Sequence, residues 1–179
     1  MTAAAASPRA DPSEAAALCT SCGLCCTGAL FNVARADPGE TPKLRAYGLE
    51  VREGADADYF IFPCPQLQGT ACGIYGDRFA RCRDFRCELL KGLDRKEITL
   101  DEGLGAVAEA KRLLGRVTAI DPLSALLTTR LRQRQGGRPA DIEAARLQVE
   151  GTALDLYLDR KFRSRKVLAL GGDKDVEVK

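Results

Sequence analysis

Histidine and tryptophan are both missing from the 179 residues, and there is a single methionine. Without imidazole there is no ordinary proton shuttle near neutral pH, no Ser/His/Asp triad and no mixed Cys/His zinc site. No stretch approaches the ~20 consecutive apolar residues that a membrane helix needs. The opening "MTAAAASPRADPSEAAAL" lacks the basic and leucine-rich regions of a secretory leader, so the expected location is cytoplasmic, where structural disulfides are rare. Neither G-x-G-x-x-G nor a P-loop is present. Charge of one sign is also lacking: 27 basic against 25 acidic residues leave a net +2. That balance gives no clear pull toward nucleic acid or membrane.

Eight cysteines stand against these absences: Cys19, Cys22, Cys25, Cys26, Cys64, Cys72, Cys82 and Cys87, with none from residue 88 onward. Buried structural cysteines occur singly, which does not account for "CTSCGLCC" at 19–26. A reducing compartment disfavours disulfides, so the thiols read as metal ligands. Cys-x-x-Cys is a good chelate because one turn brings both sulfurs to one ion, and Gly23 permits the turn to continue at positive φ. Adjacent Cys25 and Cys26 diverge from the backbone, so one of them can serve a second ion. Eight thiols suffice for two four-thiolate sites or for one polynuclear cluster, and the sequence does not say which thiols share an ion.

All-cysteine zinc sites and iron–sulfur centres both fit this donor set. "C-x2-C-x2-C" overlaps the bacterial ferredoxin run, but there the Cys-Pro follows within four residues, whereas Cys64-Pro65 lies far downstream. Zinc is therefore favoured, with an iron–sulfur cluster as the alternative. Arg78, Arg81, Arg83 and Arg86 surround Cys82 and Cys87 as a solvated basic loop, as charge offsetting the anionic thiolates, or as a nucleic-acid patch, although two aspartates in 77–87 leave an excess of only +2. No catalytic residues are identified; Asp84 and Glu88 read as surface carboxylates.

The expected fold is mainly α: a cysteine-rich, loop-dominated metal module with few short strands, packed on a C-terminal three-helix layer. Residues 1–17 form a disordered or short-helix lead, 18–90 the module, 91–166 the helical subdomain and 167–179 a flexible tail. "ALFNVA" and "DYFIFP" read as strands, and Thr41 with Pro42 as the N-cap and N1 of a short helix. Residues 19–90 show little apolar periodicity of their own. Thr99 and Glu102 form a capping box ahead of Leu104, Val107, Leu114 and Val117. Asp121-Pro122 starts a second helix bearing Leu123, Leu126, Leu127 and Leu131, which Gly136-Gly137 stops. Pro139 opens a third, with Ile142, Ala145, Val149 and Leu156 on one face and Leu147, Leu154 and Leu158 on another. Two apolar stripes make that helix the expected centre of the layer. The closing basic run "DRKFRSRK", including Arg160 to Lys166, is a solvated helix end or a docking surface for an acidic protein partner.

The ordered set "CTSCGLCC", "CPQL", "CGIY" and "CRDFRC" resembles the YkgJ-like CxxCxxCC proteins, described as zinc- or iron-chelating. The pattern departs from the family's at Phe79 and Arg86, where prolines often stand, and neither departure touches a thiol. The resemblance implies metal binding by all eight cysteines. It implies no set activity, so the expected role is a mainly structural metal core with a partner-binding surface. The alternatives are an iron–sulfur redox or group-transfer enzyme and a metal storage or delivery protein. Nothing in the sequence sets the oligomeric state.

Overall fold

A computed structural model describes residues 12–120 and 139–163. The first helix, α1 (Pro12–Cys22), runs directly into the cysteine-rich turn. The chain continues through β1 (Val33–Arg35), α2 (Thr41–Ala46), β2 (Val51–Glu53) and β3 (Asp58–Ile61). A small hairpin of β4 (Leu67–Gln68) and β5 (Ala71–Cys72) follows, then a 3₁₀ turn, α3 (Ala80–Asp84) and α4 (Glu88–Asp94). Two long helices complete the described chain, α5 (Leu100–Thr118) and α6 (Ile142–Lys161). The structure is thus largely helical with a few short strands. No helix among the described residues is long and apolar enough to cross a membrane.

Two apolar cores organise these elements. The larger gathers Leu18 and Leu24 from the N-terminal segment with Leu93, Val107, Val117, Leu154, Leu158 and Phe162. It therefore draws on residues from both ends of the described chain. The smaller surrounds Phe60, which is fully buried among Ala36, Leu44, Leu49 and Phe79. Phe60 is positioned by the antiparallel order β1-β3-β2, where it stands opposite Ala34 on one side and Val51 on the other. The region 19–90 thus has an apolar core that its weak periodicity did not announce, because short strands and turns supply its members one at a time. Rings connect the two cores: Phe31 packs on the larger, Phe62 on the smaller, and their centroids are 5.8 Å apart.

Local signals account for the helix starts. The capping box before α5 is present, with Thr99 Oγ1 accepting from the Glu102 amide and the Glu102 carboxylate accepting from the Thr99 amide. Two other starts differ from expectation. Residue Glu40, not Thr41, occupies the N-cap of α2. The Thr41 hydroxyl is drawn away to donate to Asp58 Oδ2 at 2.6 Å. Helix α6 begins at Ile142 rather than Pro139, because the Asp141 carboxylate caps it by accepting from the Ala144 amide at 2.7 Å.

The stripe Leu147, Leu154 and Leu158 of α6 packs into the larger core beside α5. Its other stripe is exposed at Ile142, Val149 and Leu156, so among the described residues only one face of α6 is covered. The second helix expected from Asp121-Pro122 and the tail 167–179 lie outside the described residues, as does most of the lead.

Backbone and side-chain ties lock the end of α6 to the front of the chain. The Glu88 amide donates to Phe162 O at 2.9 Å. Arg163 donates to Leu30 O at 3.1 Å, to Ala29 O at 3.0 Å, and to Asp155 and Asp159. Arg163 was a member of the expected basic docking stretch. It is instead an internal clamp, its side chain only 16% exposed.

Candidate metal centre

The last turn of α1 carries Cys19 and Cys22 on one side, and Gly23 turns the chain at φ +70°. A Cβ at Gly23 would lie 2.9 Å from Thr70 O, so the residue needs both the left-handed backbone and the missing side chain. Thr70 sits at the tip of the β4–β5 hairpin, which places that hairpin against the cysteine turn. Cys72 enters the site through this hairpin, opposite Leu67 in register. Cys64 is held beside the turn by its own amide, which donates to Cys26 O at 2.8 Å. Cys82 lies on α3 against the Phe60 core, and Cys87 immediately precedes α4, against the larger core. All eight thiols are free and half-buried, and the fold gathers residues from four separate segments around them.

Backbone hydrogen bonding lowers the pKa of three thiols: Leu24 acts on Cys22, Gln66 on Cys64, and Leu90 and Leu89 on Cys87. Such bonds favour thiolate and orient it, which is the supporting role that backbone groups play around metal-bound cysteine. In the metal-free protein burial outweighs them. Burial is the main cause raising Cys22 and Cys82 to about 11 and Cys26 to about 12, and it holds Cys25 well above the usual range. Cys19, Cys64 and Cys87 are raised chiefly for the same reason.

Neighbouring thiols add to the effect in a patterned way. Cys25 is raised by Cys87, Cys22, Cys19 and its neighbour Cys26, and Cys22 by Cys87 and Cys19. Cys82 is raised by Cys64 and Cys72, and Cys26 most strongly by Cys64, Cys72 and Cys82. These thiols thus stand within electrostatic reach of one another. Among the described residues, however, no three Cys, Asp or Glu side chains are drawn tightly enough together to hold an ion as they stand. The backbone brings the donors into one region, and the sulfurs are not gathered at ligation distance. The donor set itself, eight soft thiols with amide support, suits zinc or iron.

The four arginines divide. Arg78 lowers the pKa of Cys19 and Cys82, and Arg86 lowers that of Cys19, so both act on the thiols. Arg78 is fixed by stacking 3.8 Å from the Tyr75 ring centroid and by donating to Tyr75 O. Arg86 forms a two-pronged pair with Asp94 at 2.6 and 2.5 Å. Arg81 reaches toward Asp37 and Arg83 donates to Arg78 O, so these two serve the loop that carries the others.

Two charged residues join the site without a signal in the local sequence. Lys111 of α5 donates to Ser21 O and lowers the pKa of Cys22. Glu40 accepts the Ala80 amide at 3.0 Å through Oε1, leaves Oε2 buried without a hydrogen-bond partner, and raises the pKa of Cys82. Both act across folds of the chain, where only tertiary structure brings them near a cysteine.

Residues 18–102 match the family model CxxCxxCC, described as "Putative zinc- or iron-chelating domain". The matched segment, a little under half of the chain, contains all eight cysteines. No curated protein and no solved structure matches the chain.

Proposed function

We propose that residues 18–102, a match to the CxxCxxCC family of chelating domains, bind metal through Cys19, Cys22, Cys25, Cys26, Cys64, Cys72, Cys82 and Cys87. The metal is zinc in this reading, and its role is mainly structural. The observation that carries the proposal is that the fold brings all eight cysteines, each free and half-buried, together within the segment that matches the chelating-domain family. Ligation requires the sulfurs to be drawn closer together than they stand, since no three donor side chains among the described residues form a ready site. Arg78, Arg86 and Lys111 supply positive charge against the thiolates, while Arg81 and Arg83 hold the loop. An outward surface for a protein partner rests on exposed Arg160 and Lys161, since Arg163 is engaged internally.

An iron–sulfur centre is the second reading, favoured by the C-x2-C-x2-C run within Cys19–Cys25. One experiment separates the two. Protein purified without oxygen is analysed for metal content and for visible absorption. A colourless protein containing zinc supports the structural reading, and a brown one containing iron and sulfide moves the redox reading ahead. Protein that retains neither metal and takes up neither on reconstitution overturns both.

A further inference from the structure

We propose that the eight cysteines divide between two separate metal centres, Cys19, Cys22, Cys25 and Cys87 in one and Cys26, Cys64, Cys72 and Cys82 in the other. The proposal rests on the reading of these thiols as metal ligands and adds which of them share a centre.

Packing draws the first line. Cys22, Cys25 and Cys87 lie against the larger core, with Leu18 and Leu24 of the front segment and Leu89 and Leu90 of α4. Cys64 and Cys82 lie against the smaller core, around Phe60 and Phe79. The remaining three are placed by the backbone. Cys19 sits one helical turn before Cys22 on α1, which places it with Cys22; α1 packs both on α4, the helix that Cys87 precedes, and on β5, which carries Cys72. Cys26 is tied to Cys64 by the backbone bond between them. Cys72 is tied to the same strand end by its register with Leu67, whose own amide donates to Cys64 O.

The boundary therefore falls inside the adjacent pair Cys25-Cys26. The turn from Gly23 to Gly28 lays Cys25 against the larger core, whereas Cys26 lies against neither core and is tied to Cys64 through its carbonyl. Four thiolates close a tetrahedral zinc site or complete the ligand set of a cubane cluster, so each group is sufficient alone. Cys19 lies within electrostatic reach of Cys72 and Cys26, so the two centres are neighbours.

The test uses the full chain loaded with zinc. Native mass spectrometry counts ions in the wild type and in Cys25→Ala and Cys26→Ala, and alkylation with peptide mapping identifies the thiols released. We expect two ions in the wild type and one in each variant. Cys25→Ala should free Cys19, Cys22 and Cys87, whereas Cys26→Ala should free Cys64, Cys72 and Cys82. Release of the same thiols by both variants, or loss of all metal from either, overturns the division in favour of one shared cluster. If a variant does not fold, slow zinc withdrawal from the wild type by a chelator decides instead: the thiols become labelled in these two groups of four or they do not. Wild-type protein that takes up no zinc, with all eight thiols labelled at once, fails at the metal reading itself and is distinguishable from both outcomes.

Discussion

Arg163 binds four acceptors from two distant parts of the chain: the carbonyls of Ala29 and Leu30 and the carboxylates of Asp155 and Asp159. Truncating it strands those groups in a half-dry setting. Arg163→Ala is expected to lower stability by about 3 kcal/mol, read as a lower denaturant midpoint at unchanged slope. Arg163→Lys should restore little, because one ammonium cannot reproduce the planar fork. The thiols give a pH signature of opposite sign in the two forms of the protein. In the metal-free form the folded-state thiols titrate above their ordinary value of 9.0, at about 11 for Cys22 and Cys82 and about 12 for Cys26. Their contribution is then fully present below the ordinary value and is lost as pH rises through about 11 to 12. On the proposed reading the ligands of a metal-loaded form are already thiolates, so protons compete with metal and stability is expected to fall as pH falls. Melting temperatures of both forms across pH check the two signs. Identical profiles would count against thiolate ligation.

Short elements transmit these residues' positions, and the turn at Gly23 is the most constrained of them. Gly23→Ala meets both a positive φ and the Thr70 carbonyl, so about 2 kcal/mol of stability and part of the bound metal are expected to be lost together. Parallel measurement of denaturant stability and metal content checks this. Thr99→Ala provides the contrast: loss of the cap on α5 should cost about 1 kcal/mol and leave metal content unchanged. Both positions were legible in the sequence, because a glycine after Cys-x-x-Cys and a T-x-x-E box are local patterns with local causes. The start of α2 was not, since the Thr41 hydroxyl is claimed by Asp58 on a neighbouring strand. Nor was the Phe60 core, whose members come from separate short elements with no shared period. Lys111, Glu40 and Arg163 were illegible for the same reason: each works through a contact that only the folded chain creates.

At the scale of the molecule, metal and apolar packing share one foundation. Cys22, Cys25 and Cys87 rest on the same core that α5 and α6 build with Val107, Val117, Leu154 and Leu158. Sequence periodicity alone suggests that the helices would outlast the cysteine region when metal is removed. With the core shared, we expect metal withdrawal to raise amide hydrogen exchange in α4 and α5 as well as in the cysteine turn. Protection of α5 that does not change on metal removal would show that the helices stand alone.

The clamp at Arg163 also sets an order of events during synthesis. Ala29 and Leu30, just beyond the first four cysteines, receive their partner 134 and 133 residues later. At ribosomal speeds of 5–20 residues per second that is on the order of ten seconds. For that interval the carbonyls of Ala29 and Leu30 lack the guanidinium that fastens them in the finished fold, so the segment after the first four cysteines is held last by a residue made long after it.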